Sequence, residues 1–135
     1  MQRFTAGSFL LAIALFIACC GVCEAAEDMR FVDAKDDTGY YVDAASIARV
    51  SDTEFDAVVA VIKAAENRLY LYHTRFNHQA GTYRIFDARV EVYDTKEILR
   101  TMQGMDAPRV YTPASPMRGI VDFIEELLAE KQQTA

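Results

Sequence analysis

The chain has 135 residues, 52% of them hydrophobic and 25% charged, which sets aside a disordered protein and leaves room for one folded domain of ordinary size. Its formal net charge is −6, and Arg68, Arg75, Arg84 and Arg89 are scattered along strand-like segments. That argues against a nucleic-acid partner, which requires concentrated positive charge.

The first 25 residues read as an export signal. Arg3 is the only charge in Met1–Thr5, and the run from Ala6 to Cys23 has none. A single membrane anchor is the rival reading, yet the most apolar part, Phe9–Ala18, is about half the roughly 20 residues a span needs. Two processing routes compete. Cys23-Glu24-Ala25 puts small residues at both specificity positions of signal peptidase, giving a mature chain from Ala26, which is the preferred reading. Phe16-Ile17-Ala18-Cys19 is similar to a lipobox, and lipidation at Cys19 would tether the domain by acyl chains outside the bilayer. All three cysteines, Cys19, Cys20 and Cys23, lie in this leader, so no disulfide or thiol chemistry is expected in a mature domain of residues 26–135.

Beyond the leader, Met29–Val42 reads as a β-hairpin, turned at "KDDTG" by acids and by Gly39 with positive φ. Asp43 stands where an N-cap belongs, ahead of one or two helical turns in "AASIARV". Glu54–Ala65, rich in β-branched residues, reads as a central strand. Arg68–His78 puts Tyr70, Tyr72, Thr74 and Phe76 on one face and Leu69, Leu71 and His73 on the other. Thr82–Asp94 alternates, with Phe86, Ala88, Val90 and Val92 inward and Asp87, Arg89 and Glu91 outward. Thr95–Met102 fits a strand or a helical turn, and Gln103–Pro116 a loop. Ser115 as N-cap and Pro116 at the first helical position open a C-terminal helix with Met117, Ile120, Val121, Ile124, Leu127 and Leu128 on one face. The predicted fold is α+β: one antiparallel sheet of about five or six strands with the C-terminal helix on one face.

No reactive constellation is legible. His73 and His78 are five apart, an odd spacing that puts them on opposite faces of a strand and denies them a shared metal. Ser46 and Ser115 look like helix-start residues rather than nucleophiles. Asp33, Asp36, Asp37 and Gly39 invite a calcium loop, but Lys35 occupies an alternate position and Ala44 the twelfth, so a hairpin turn fits better. A non-enzymatic protein without cofactor or metal is therefore expected. Seven tyrosines and eight phenylalanines without tryptophan leave one candidate surface: Tyr70, Tyr72 and Phe76 as contact aromatics on one strand face. The same residues fit a core role if the helix takes that face.

The order of features is more specific than any motif. An export signal, a short strand, an acid–glycine turn into "YYVDAASI", three strands ending in "VEVYD", and "YTPASP" opening a final helix resemble the surface-adhesin protein E-like domains of bacterial secreted proteins and lipoproteins. Tyr40, Tyr41, Asp43, Ser46, Ile47, Tyr93, Asp94, Pro113, Ser115 and Ile120 carry the resemblance, which spans Met29 to Glu130. The chain departs from the pattern in lacking tryptophans and a cysteine pair, with Phe31 standing for one such aromatic. The resemblance implies an antiparallel sheet with a C-terminal helix and a non-enzymatic envelope or secreted domain. It also implies a protein partner, from a host or the envelope, and homodimer formation. An adhesin-like binding module is the leading expectation. A periplasmic accessory protein holding a small ligand between sheet and helix is the alternative.

Overall fold

The acidic turn expected after the first strand joins the first two strands of the sheet. The computed structural model describes residues 27–134. The export signal, the cleavage site before Ala26 and Cys19 lie outside the described residues. Strands β1 (Met29–Lys35) and β2 (Thr38–Asp43) form the predicted antiparallel hairpin, with Lys35 opposite Thr38. The turn chemistry differs from the expectation. Asp36 takes the positive φ, at 55°, while Gly39 lies inside β2. Aspartate tolerates this conformation because its short polar side chain bonds locally. Gly39 serves a close approach instead: a Cβ there would sit 2.9 Å from the Tyr41 ring.

Asp43 is a cap, but of a single 3-10 turn (Ala44–Ser46) rather than of a longer helix. Its Oδ1 accepts the Ala45 N–H at 3.0 Å and the Asp28 N–H at 2.9 Å, pinning the start of the described chain to the end of the hairpin. Ser46 Oγ donates to the Asp43 carbonyl at 2.7 Å and accepts the Val58 N–H at 2.8 Å. Ile47 then packs half-buried on the core, and β3 (Ala48–Arg49) follows.

Strands β4 (Glu54–Lys63), β5 (Arg68–Asn77) and β6 (Thr82–Val92) form the long antiparallel meander. Asn67, with φ 53°, turns the chain between β4 and β5. Its backbone and side-chain oxygens accept the Tyr93 and Asp94 N–H groups at 3.1 Å each, so Tyr93 and Asp94 lock the end of β6 to that turn. The ambiguous segment is a strand, β7 (Ile98–Gln103), and the predicted loop contains a short one, β8 (Arg109–Val110).

The main path of the sheet is β1-β2-β4-β5-β6-β7. β3 continues along the β4 edge beyond β2, and β8 shares the β6 edge with β7. Helix α1 (Pro116–Gln133) starts as expected: Ser115 Oγ accepts the Met117 N–H at 3.2 Å, and Pro116 occupies the first position. The fold is thus α+β, one antiparallel sheet with a single C-terminal helix on one face. No described helix is long and apolar enough to cross a membrane.

Ile120, Val121 and Ile124 of α1 meet Val42, Phe55, Val59 and Phe76, all at most 2% exposed. Burial of each such side chain stabilises the fold by about 1.5–3 kcal/mol. Tyr40 joins this side of the sheet and Tyr41 the opposite side, where it meets Phe31 edge to face at 5.5 Å. Two expectations are corrected. Phe76 is 0% exposed beneath the helix, so it is a core residue and presents no contact surface. Phe86 does not point inward. A bulge between His73 and Thr74 opposite β6 inserts one residue, shifting the phase of alternation. Tyr83 and Ile85 before the bulge, and Ala88 and Val90 after it, face the helix side, while Phe86 turns to the other face beside His73 at 5.5 Å.

Candidate functional site: the open face of the sheet

One face of the sheet lies under α1, and no described element covers the other. Alternation along each strand, reset in β6 by the bulge, decides what that open face shows. From β4 come Asp56, Val58, Ala60 and Ile62; from β5 come Leu69, Leu71, His73 and Arg75; from β6 come Arg84, Phe86, Asp87, Arg89 and Glu91.

The face divides into two zones. Toward β1, Ala60, Leu69 and Leu71 form a small apolar cluster with Met29, Tyr41, Val58 and Ile62 around it. All of these but Val58 floor an open depression of about 480 Å³ whose wall includes Arg89, Glu91, Tyr93 and Lys96. Lys96 Nζ lies 4.3 Å from the centre of the Tyr93 ring, and Arg89 reaches Glu91 at 3.7 Å. Apolar floor and charged rim together are the usual anatomy of a protein contact.

The second zone is polar. Arg75 donates from Nε and from one Nη to the two oxygens of Asp56 at 2.8 and 3.0 Å. This hydrogen-bonded carboxylate raises the Arg75 pKa above its ordinary value. His73 Nδ1 lies 3.4 Å from Asp87 Oδ2, with both side chains exposed. A smaller hollow of about 270 Å³, bordered by Asp43, His73, Asp87 and Arg89, links the zones. Asp43 was readable as a cap; its place beside this hollow was not. Among the described residues, no group of three or more His, Cys, Asp or Glu converges as a metal site would require.

Tyr70 and Tyr72 lie on the helix side of the sheet, where Tyr72 packs against the edge of the core cluster. Their rings stack at 6.3 Å, both half-buried, with Lys63 Nζ 5.5 Å above Tyr70. Burial pushes the Tyr72 hydroxyl pKa up, and the neighbouring Tyr70 adds to the effect. Tyr72 also borders an open groove of about 560 Å³ with Ile85, Met102, Met105 and Pro108. The three predicted aromatics share a face but differ in burial: Tyr70 and Tyr72 are half-buried, and Phe76 is fully buried in the core.

The histidines fall on opposite sides, as their spacing predicts. His73 is on the open face, and His78 stacks on Phe55 at 6.0 Å with Nδ1 3.3 Å from Glu125 of α1. The missed residues are Phe86 and Arg84. The signal for them was the parity break between Tyr83-Ile85 and Ala88-Val90, which no single alternating pattern accommodates.

Fold and face define an α+β domain with one sheet surface covered by α1 and the other left open among the described residues. No protein-family model, curated protein or solved structure matches the chain.

Proposed function

We propose that this chain is an exported, non-enzymatic protein-contact module, adhesin-like in type, acting in the periplasm, at the cell surface or after secretion. It meets its protein partner through the open face of the sheet. The observation that carries this reading is the apolar depression over Ala60, Leu69 and Leu71, left open by the described elements and bordered by Arg89, Glu91 and Lys96. The resemblance of Met29–Glu130 to surface-adhesin protein E-like domains points the same way. A ligand held between sheet and helix has less support, because Ile120, Val121 and Ile124 fill that interface at no more than 2% exposure.

The test is quantified capture of envelope proteins and of extracellular-matrix proteins by the purified mature protein. Arg89→Glu and Lys96→Glu, both on exposed rim positions, are expected to cut capture of the same partner by roughly tenfold. Glu126→Lys, exposed on α1, should leave it unchanged. Equal capture by all three folded variants would sink the reading. Mass spectrometry of the mature N-terminus separates a chain beginning at Ala26 from one lipidated at Cys19.

A further inference from the structure

Arg75 and Arg84 face each other directly across β5 and β6. Like charges in that relation repel and destabilise a sheet. Arg75 is compensated by the two-point contact with Asp56. Arg84 is not: among the described residues no carboxylate lies within 4.0 Å of it. Its Nε donates to the Met105 carbonyl at 3.2 Å, which orients the guanidinium and leaves its terminal amino groups undonated.

Phe86 completes the arrangement. The bulge places its ring on the open face, where the Arg75 and Arg84 guanidinium carbons lie 5.0 and 5.6 Å from its centre. The ring supports both cations through its π-face without neutralising either. Arg75, Arg84 and Phe86 border a depression of about 160 Å³, with Asn77, Thr82 and Tyr83.

We propose that this is a binding site for one carboxylate of a partner polypeptide, an Asp or Glu side chain received by the Arg84 fork over Phe86. The proposal rests on the reading of the open face as a contact surface and names one anchor on it. A guanidinium presents paired donors in a plane that match a carboxylate. The depression of about 160 Å³ admits a side-chain terminus, and the wider open hollow of about 720 Å³ that Arg84 and Phe86 also border, toward β7, leaves room for the backbone that carries it. Glu54 borders the same depression, Asp56 is bound to Arg75, and Asp87 follows Phe86 on β6. A polyanionic chain laid across the face would meet these acids on either side. A single carboxylate avoids them.

The experiment is a nuclear magnetic resonance titration of the mature protein at low salt with the peptide acetyl-Gly-Glu-Gly-amide. Saturating shifts are expected at the Arg84 Nε–H and the Phe86 ring, and none with the Gln counterpart. R84Q should abolish the shifts while keeping a native-like spectrum, and R84K should weaken binding by roughly tenfold, because an ammonium keeps the charge but loses the fork. Shifts that persist in R84Q, or that are equal for the Gln peptide, overturn the proposal. So does dextran sulfate binding at Arg84 more tightly than the Glu peptide. Any of these failures leaves the capture test at Arg89 and Lys96 standing on its own.

Discussion

Gly104 sits where the chain leaving β7 crosses the β6 bulge. A Cβ there would run into the carbonyl oxygens of Ile85 and Phe86. Both obstacles are backbone, and the loop is held in place by the Met105 N–H donating to the Ile85 carbonyl at 2.7 Å. Gly104→Ala is therefore expected to cost about 3 kcal/mol or more, read from the urea midpoint. Gly81→Ala, at φ 66° with open space around it, should cost only about 1–2 kcal/mol. Equal losses would show that the crossing at Gly104 is loose. The tyrosines give a pH prediction at the same scale. Burial raises the pKa of Tyr72 and of Tyr111 above the ordinary 10.0. A phenol raised in the folded state lends stability that is full below its unfolded pKa and lost as pH rises through the folded value. The protein should accordingly weaken at alkaline pH. Tyr72→Phe should move alkaline unfolding to higher pH and remove a late-titrating phenolate from the near-ultraviolet absorbance. Removal of an early-titrating one would contradict this assignment.

Among the elements, Ser46 and Ser115 look alike in sequence, each opening a short helical pattern. Their surroundings differ. Ser115 caps α1 through one N–H, so Ser115→Ala should cost about 1 kcal/mol. Ser46 joins the 3-10 turn to β4 by accepting the Val58 N–H, and its loss strands that donor. Ser46→Ala should therefore be the costlier change, about 1–3 kcal/mol, and thermal unfolding of the pair checks the ranking. The hairpin, the meander and α1 were legible because each rests on local rules: alternation, turn residues, capping and helical spacing. The assignment of Phe86 failed because one alternating pattern was carried through β6, whereas the bulge opposite His73 and Thr74 resets it. Phe76 was placed correctly on the face with Tyr70 and Tyr72. Whether that face is covered depends on where α1 crosses it, a tertiary fact absent from strand periodicity. β7 was ambiguous for a related reason: its residues are nearly all exposed, so no buried stripe marks its period.

At the scale of the molecule, the two ends of the sheet are protected differently. On β1, Arg30 pairs with Asp28 at 2.9 Å, Asp33 and Lys35 are exposed, and a bulge at Val32 interrupts the ladder. These are the devices that keep a sheet edge from pairing with another chain. β7 has no proline and a single charge, Arg100, and it exposes Ile98 at 55% and Leu99 at 44%. The net charge of −6 opposes close approach of copies, but it acts on the whole surface rather than on this strand. Heat-induced aggregation should therefore start at the β7 edge. Leu99→Lys is expected to delay it in light scattering while changing stability by no more than about 0.5 kcal/mol, as befits an exposed site. Phe31→Lys at the already protected β1 edge should leave the onset where it was. If Phe31→Lys delays aggregation and Leu99→Lys does not, β1 is the vulnerable edge, and its charges and bulge are insufficient guards.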